Sequence, residues 1–390
     1  MNRHLGLLAV LQGLFLTNNV TFIAINGLVG FSLAPAPWMA TLPVMGYVVG
    51  GALFTGPVAW SQARWGRRGS FALGLAVALV STLVCALAAQ RGDFLLLCAA
   101  TVLAGFYSAN GQLYRFAAAE LVPAAARERA VSLVMAGGLI GAVAGPNLAR
   151  HARDWTVTPF VGAYLALSGV ALLAALVLAA IRFPAAAQTA RSAGRGRPLA
   201  ELVRQPVFIV AAGGGALAYG VMNLLMAATP LAMQACGLPF ADAAWVLEWH
   251  VIGMFAPGFF TGRLIERWGA RRVMALGLLL NLVCVAIALS GVGLAQFTWA
   301  LTVLGVGWNF LFTGSTTLSL QAYRPEERDR AQAAINLALF AVMALTSFAS
   351  GLLVTTGGWA WLNLGSLLPL GVIAAGLWWV GRRPPAASGA

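Results

Sequence analysis

The sequence predicts an all-α integral membrane protein with twelve transmembrane helices in two pseudo-symmetric halves of six helices. Three observations indicate this fold class. Of the 390 residues, 60% are hydrophobic and only 9% are charged, whereas a soluble domain carries about 25% charged residues. Apolar runs of about 20 residues, long enough to cross a bilayer, recur along the chain. Finally, parts of the two halves can be aligned with each other.

The apolar runs define the twelve predicted spans. The first run is too long to be the core of a cleaved signal peptide, so we interpret it as the first span. In chain order the spans are 5–31, 39–60, 69–89, 94–118, 131–149, 160–181, 207–233, 243–265, 273–290, 297–320, 331–356 and 362–380.

The basic residues predict how the chain is oriented. All 24 are arginine. If successive spans alternate in direction, 21 of them share one side of the membrane, and only Arg91, Arg150 and Arg153 lie opposite. By the positive-inside rule, both termini and the central loop are cytoplasmic, as in a multi-pass protein of the bacterial inner membrane. The net charge of +13 therefore reflects topology, and we expect no nucleic-acid partner.

The segment 182–206 is the one linker-like stretch, rich in Arg, Ala and Gly. It predicts a division into an N-terminal six-helix half (1–181), a cytoplasmic linker (182–206) and a C-terminal half (207–390) with a short cytoplasmic tail.

An internal repeat supports this division. RWGRRGSFALGL (64–75) aligns without a gap to RWGARRVMALGL (267–278), and RERA (127–130) aligns to RDRA (328–331). The offsets are 203 and 201 residues, so a unit of six spans is repeated. Parallel repeats of this kind are typical of transporters, whose substrate site lies near the midplane between the halves.

At these loops the chain resembles the major facilitator superfamily. That family's signature is a Gly, an acid four residues later, and then a basic residue, any residue, Gly and two basic residues. The loop after span 8 has this order from Gly262 to Arg272, whereas the loop after span 2 has Ala59 and Ala63 in place of the first Gly and the acid. The resemblance implies a conformational latch formed by Arg64, Gly66, Arg67, Gly262, Glu266, Arg267, Gly269 and Arg271.

In span 5, Gly137, Gly141 and Gly145 recur at four-residue spacing and Pro146 follows. This spacing is typical of a closely packed helix face. It also resembles, in part, the Gly-Pro motif of antiporters in the superfamily, which implies an alternative function, the proton-coupled efflux of hydrophobic drugs or metabolites.

Four segments resemble a bacterial subgroup of the superfamily that includes riboflavin importers: GLVGFSLAP (27–35), MAATPLAM (226–233), WHVIGMFAPGFFTGRLIERWG (249–269) and QAAINLALF (332–340). The resemblance implies a secondary active transporter that works by alternating access. Its expected substrate is riboflavin or a similar planar compound that forms hydrogen bonds.

Glu248 and His250 are ionisable residues inside span 8, where such residues are costly and often functional. Two residues correspond to 200° around a helix, so the two side chains point to nearly opposite sides. We predict that Glu248 carries a proton; the alternative is a carboxyl group held neutral between helices. His250 either contacts substrate or donates to a backbone carbonyl group. The repeat pairs it with Tyr47, and Pro257 is expected to kink its helix.

Amide and aromatic side chains are concentrated in spans 1, 4, 7 and 10, which the superfamily places around its cavity. Aromatic rings can stack on a planar solute and amides can form hydrogen bonds to its edges; the alternative is hydrogen bonding between helices. Together with the span 2 and span 8 residues, the predicted substrate-binding set is Asn18, Asn19, Tyr47, Tyr107, Asn110, Tyr219, Asn223, His250, Trp308 and Asn309.

The sequence argues against an enzyme. The three histidines, His4, His151 and His250, are too dispersed to converge on one site, and there is no phosphate-binding loop motif. The four cysteines lack the spacing of a metal site. We therefore expect no catalytic residue, metal or cofactor, and a monomer whose partners are a small-molecule substrate and the lipid bilayer.

Overall fold

Sixteen α-helices make up most of the computed structural model, which describes residues 3–123, 126–183 and 197–382. Backbone groups in a bilayer must be satisfied internally, which favours helices in a chain this apolar. The helices are α1 Arg3–Leu33, α2 Leu42–Leu53, α3 Thr55–Arg91, α4 Phe94–Gly111, α5 Tyr114–Glu120, α6 Arg127–Ala136, α7 Gly138–Ala152, α8 Val161–Ala179, α9 Leu199–Leu202, α10 Pro206–Ala235, α11 Phe240–Phe255, α12 Gly258–Trp268, α13 Ala270–Leu289, α14 Leu294–Ser319, α15 Arg328–Thr356 and α16 Gly358–Gly381.

Ten helical stretches within these described residues are long and apolar enough to cross a membrane. The predicted spans 2 and 8 are not among them as separate stretches. The 12-residue α2 is followed by α3 with only Phe54 between them, and the helical run of predicted span 8 is divided at Ala256 and Pro257. The break matches the kink expected at Pro257, because proline removes a backbone donor and crowds the preceding turn.

Two glycines mark equivalent turns in the two halves. Gly66 interrupts α3 with φ 68° and ψ −178°, and Gly269 separates α12 from α13 with φ 82° and ψ 150°. Their numbers differ by 203, the offset of the aligned segments. A Cβ at either position would meet no atom within 4 Å, so the requirement for glycine lies in a backbone conformation that other residues rarely adopt.

The contacts between the two halves include three pairs of α-helices, α1 with α10, α2 with α15 and α7 with α11, and the short 3-10 helix Pro37–Met39 against α15. The contacts are tight near the loops 34–41 and 236–239, which we call the distal end. There, Thr41 Oγ1 donates to the Ser347 carbonyl oxygen at 2.6 Å and accepts from the Gly351 N–H at 3.0 Å. The rings of Trp38 and Phe348 lie 5.9 Å apart. These contacts close the distal end.

The opposite end, which we call the terminal end, holds the first residues of α1 and the end of α8. The Arg182 N–H donates to His4 Nδ1 at 3.4 Å. Arg197, the first described residue after the gap, binds Glu327 between α14 and α15. Most of the predicted linker, residues 184–196, lies outside the described residues.

Candidate functional site

An aromatic group lies in the second half between α10 and α14. Trp308 and Phe312 are four residues apart on α14 and therefore share one face; their rings are stacked, 5.1 Å apart and inclined by 9°. Tyr219 meets both rings edge-on, at 5.3 Å and 5.5 Å. Trp308 is 93% buried, since 7% of it is exposed, and its Nε1 has no hydrogen-bond partner among the described residues.

A polar group occupies the first half between α1, α2 and α4. Asn19 Nδ2 donates to Tyr47 Oη at 3.1 Å, and Ser108 of α4 lies beside α2, with its Oγ 3.8 Å from a Cβ placed on Gly51. The ring of Tyr47 packs on Phe22, with centroids 5.1 Å apart. Tyr47 is thus held in place by a hydrogen bond at its hydroxyl and by packing at its ring.

These two groups lie on either side of the boundary between the halves. Tyr219 is within electrostatic reach of both Tyr47 and Arg115. Phe340 of the second half extends toward α2, where a Cβ on Gly51 would lie 3.5 Å from its ring and 3.8 Å from Ser108 Oγ. We define the central site as Asn19, Tyr47, Ser108, Arg115, Tyr219, Trp308 and Phe312.

Arg115 brings a positive charge to the central site. It lies at the second residue of α5, and its guanidinium group is 4.9 Å from the ring centroid of Phe116. Its Nε is buried without a hydrogen-bond partner among the described residues. A donor of this kind is costly to bury unless a ligand or water satisfies it.

Three of the predicted amides form hydrogen bonds between helices of one half. Asn110 Oδ1 accepts from Ser70 Oγ at 2.9 Å. Asn223 Nδ2 donates to Ser347 Oγ at 2.8 Å. Asn309 Nδ2 donates to the Met254 carbonyl oxygen, and its Oδ1 accepts from Thr261 Oγ1, both at 2.7 Å. The structure therefore places them at helix contacts and does not bring them to the central site.

His250 is also at a helix contact. It is fully buried, and its Nδ1 lies 2.7 Å from the Leu301 carbonyl oxygen of α14. This is the backbone-carbonyl contact, one of the two alternatives that the sequence left open, and the Nε2 atom has no hydrogen-bond partner among the described residues.

Two further predicted residues lie inside the first half. The Tyr107 ring packs edge-on against Phe15 at 5.4 Å, and its hydroxyl group has no hydrogen-bond partner among the described residues. Asn18 is 3% exposed, and its Oδ1 has no hydrogen-bond partner among the described residues. Both are next to residues of the central site in sequence, but their observed contacts are within one half.

Glu248 is half-buried on α11 at the boundary between the halves. Its Oε2 accepts from Asn147 Nδ2 of α7 at 2.8 Å. Asn147 Oδ1 in turn accepts from Arg150 Nη2 at 3.0 Å. Since α7 and α11 belong to different halves, this carboxylate takes part in a contact that joins them.

The residues of the predicted latch differ between the halves. Arg67 forms a two-pronged ion pair with Glu120 at the end of α5, with the shorter distance 2.6 Å and the other 3.1 Å. Glu120 thus supplies an acid to the first loop, which lacks one at Ala63. Gly66 and Gly269 form the turns described above.

In the second loop, a Cβ on Gly262 would meet no atom within 4 Å. Gly262 therefore makes no close helix contact in the described conformation. The remaining predicted latch residues are exposed and form no ion pair with the described residues: Arg64, Glu266, Arg267 and Arg271.

The spaced glycines of the fifth predicted span let α7 approach α1. A Cβ on Gly141 would come within 2.5 Å of Leu16, and one on Gly145 within 3.0 Å of Val20. The four-residue spacing therefore creates a closely packed face, as one of the two interpretations predicted.

A cavity of about 360 Å³ lies between the halves at the distal end. Phe160 of the first half meets Phe240 of the second edge-on at 5.1 Å. The guanidinium group of Arg153 lies 5.4 Å and 5.8 Å from the centroids of these rings. This cluster closes the outer side of the space between the halves.

Sequence reasoning did not identify Ser108, Phe312 and Phe340, which lie in or beside the central site, and it left open whether Arg115 belongs there. Phe312 follows Trp308 at helical spacing, so it could have been found by extending that face by one turn. Arg115 stood beside Tyr114 inside predicted span 4, but the arginine-rich loops nearby suggested that it reached the membrane surface.

Comparison with known proteins identifies the family. The Major Facilitator Superfamily profile matches residues 5–247 and 211–390. The riboflavin transporter RfnT of Brucella anthropi is 38% identical over 363 residues, 93% of this chain and 91% of that protein. The uncharacterized MFS-type transporter YdeG of Bacillus subtilis is 27% identical over 92% of this chain and 88% of its own length.

A solved structure has the same fold. The crystal structure of a bacterial homologue of the human lysosomal transporter Spinster, in an inward-facing and occupied conformation, superposes with a TM-score of 0.74. The two chains are 16% identical, and the match covers 98% of each. The profile match and the 38% identical relative show that this chain belongs to the Major Facilitator Superfamily.

Proposed function

We propose that this superfamily member moves a small, planar, hydrogen-bonding solute such as riboflavin across a bacterial inner membrane by alternating access. The similarity to RfnT, whose name describes a riboflavin transporter, supports the substrate class. In this proposal the chain crosses the membrane twelve times: α2 continues into the part of α3 before Gly66, and α11 with α12 forms the eighth crossing.

The observation that carries the proposal is the composition of the central site. One wall is aromatic, with the stacked Trp308 and Phe312 and the edge-on Tyr219. The other wall carries the Tyr47 hydroxyl and the amide of Asn19. A planar heterocycle needs rings for stacking and a few polar groups at its edges, and the unpartnered Trp308 Nε1 is a donor that such a solute would satisfy.

The orientation follows from the arginines. They assign the terminal end to the cytoplasm, so the closed distal end faces outward. The contacts of Thr41 with Ser347 and of Phe160 with Phe240 join the halves there. The described conformation is then closed to the outside, and transport requires these contacts to open.

Uptake of labelled riboflavin into proteoliposomes, compared between wild type and Trp308→Phe, tests the proposal. The variant keeps an aromatic ring but loses the Nε1 donor. One lost hydrogen bond corresponds to about a five- to tenfold increase in KM. Trp299→Phe is the matched control, since Trp299 is 64% exposed on the same helix.

Saturable uptake by wild type and by the control, with the increase in KM confined to Trp308→Phe, would support the proposal. Absence of uptake by folded wild-type protein would overturn the riboflavin assignment. Equal KM values for wild type, Trp308→Phe and Trp299→Phe would show that the Trp308 Nε1 group does not bind the substrate.

Proton-coupled efflux of hydrophobic compounds is the second candidate, and the contact of Glu248 with Asn147 favours it. A carboxylate that bridges the halves can couple its protonation to their movement. Substrate accumulation in expressing cells separates import from export. Export that depends on a proton gradient in wild type and is lost in Glu248→Gln would favour this candidate.

A further inference from the structure

A groove runs along the membrane-facing contact of α3 and α8, with a volume of about 340 Å³. Its floor is formed by Leu75 and Leu178, each 2% exposed. Its sides are mainly alanines on both helices, whose small side chains leave the space between the helices open. The lining residues are Arg68, Ala72, Leu75, Ala76, Leu79, Ala171, Leu172, Ala175, Leu178 and Ala179.

The groove has a defined length. At its inner end, Thr82 Oγ1 and Ser168 Oγ form a buried hydrogen bond of 2.9 Å that joins α3 to α8. From Arg68 to Leu79 the helix rises by about 16 Å, at about 1.5 Å per residue. This is roughly half of the ~30 Å hydrocarbon thickness of a bilayer, so the groove has the length of one leaflet.

The open end of the groove carries a positive charge. Arg68 Nη2 donates to the Ala179 carbonyl oxygen at 3.0 Å, and no acidic side chain of the described residues pairs with it. Its neighbour Arg67, by contrast, is neutralised by Glu120. Arg68 is exposed at the terminal end, which the arginine distribution assigns to the cytoplasm.

We propose that this groove is a binding site for an anionic phospholipid of the cytoplasmic leaflet. One acyl chain lies along the alanines between α3 and α8, and Arg68 contacts the phosphate of the headgroup. The charge at the end of the groove selects for net anionic lipids, because the ammonium of an ethanolamine headgroup already neutralises its own phosphate. The site lies within one half and does not depend on the substrate that is transported.

Native mass spectrometry of the purified protein, titrated with phosphatidylglycerol or phosphatidylethanolamine of identical acyl chains, tests this site. Wild type should bind phosphatidylglycerol about fivefold more tightly, the preference expected of one arginine near an anionic group. Arg68→Gln should bring the ratio close to one. Ala76→Phe, which fills the groove, should weaken binding of both lipids.

Arg64→Gln is the matched control, because Arg64 is an exposed arginine in the same loop that does not line the groove. It should keep the preference for phosphatidylglycerol. Equal binding of the two lipids by wild type would overturn the site, and so would an unchanged preference in folded Arg68→Gln. Displacement of the lipid by inorganic phosphate alone would show that the acyl-chain groove does not contribute.

Discussion

His250 stabilises the contact between α11 and α14 through the 2.7 Å contact of its Nδ1 with the Leu301 carbonyl oxygen. The two helices are close here, since a Cβ on Gly305 would lie 2.4 Å from the His250 carbonyl oxygen. The sequence alone is equally compatible with a histidine that contacts the substrate and with one that contacts a backbone carbonyl group. The sequence could not decide, because the partner is 51 residues away.

We expect His250→Ala to lower the free energy of unfolding by about 2–4 kcal/mol, because it leaves a cavity and an unsatisfied carbonyl group. Thermal unfolding in detergent measures this loss. The KM for the transported solute should stay within about twofold of wild type. A tenfold increase in KM in folded protein would show that His250 acts on the substrate.

The same reasoning applies to three of the predicted amides. Asn110, Asn223 and Asn309 lie in the helices around the centre, as the sequence suggested, but their side chains point to helix contacts. Helical position was predictable from apolar periodicity. The direction of each side chain depends on the neighbouring helix, which no local pattern specifies.

At the scale of the element, the turns at Gly66 and Gly269 are the clearest trace of the internal repeat. Both have positive φ and nearly extended ψ, a combination essentially restricted to glycine. The sequence predicted the equivalence from an ungapped alignment. The strained backbone that requires glycine became visible in the structure.

Gly66→Ala and Gly269→Ala should each lower the free energy of unfolding by about 1–3 kcal/mol, because alanine is strained in this conformation. Gly169→Ala is the control, since Gly169 is helical and exposed and a Cβ there meets no atom within 4 Å. Thermal melting of the three variants measures the effect. If Gly66→Ala has the same melting temperature as Gly169→Ala, the backbone at residue 66 can change conformation without loss of stability, which would contradict the expected strain.

The end of the linker is held to the loop before α15 by an ion pair. Arg197 Nη2 lies 2.8 Å from Glu327 Oε2, and the Glu327 side chain is fully covered. The Arg197 guanidinium group and the N–H groups of Arg324 and Arg197 hold the pKa of Glu327 well below its ordinary value of 4.5. The ionised form is therefore favoured in the folded protein.

This ion pair gives a pH dependence with a definite sign. Because folding lowers the pKa of Glu327, its stabilisation is fully present above pH 4.5 and is lost as the pH falls toward the folded pKa. We expect Glu327→Gln to melt at a lower temperature than wild type at pH 7, and the difference to shrink below pH 4.5. A difference that stays constant with pH would contradict this role.

At the scale of the whole molecule, composition and apolar runs were sufficient to predict a helical membrane protein, and the alignment of segments 64–75 and 267–278 predicted the repeated half. They could not predict which end of the space between the halves is closed. The closure depends on contacts such as Trp38 with Phe348 and Phe160 with Phe240, which join residues from different halves. In the proposed alternating-access cycle these contacts must also break, so the sequence would have to be compatible with both states.

Cross-linking tests the importance of the distal contacts. In a Cys236→Ser background, which removes an exposed distal cysteine, Trp38→Cys with Phe348→Cys should be joined by a short bifunctional reagent. We expect transport to stop on cross-linking and to recover when a reducible linker is cleaved. Variants with only one of the two substitutions, which keep Cys85, Cys98 and Cys284 as the double variant does, should be unaffected by the reagent. Continued transport by the cross-linked protein would mean that the distal end stays closed throughout the cycle.

Side-chain hydrogen bonds are distributed differently within each half and between the halves, and this difference affects how the halves can move. Inside each half, side-chain hydrogen bonds such as Thr82 with Ser168 and Tyr164 with Asn26 tie neighbouring helices together. Between the halves, the hydrogen bonds of the described residues involve Thr41 and the pair Asn147 and Glu248, whereas much of the remaining contact is aromatic. Aromatic and aliphatic surfaces can slide without breaking specific bonds. We therefore expect each half to move as a rigid body and the contact between the halves to let them slide past each other.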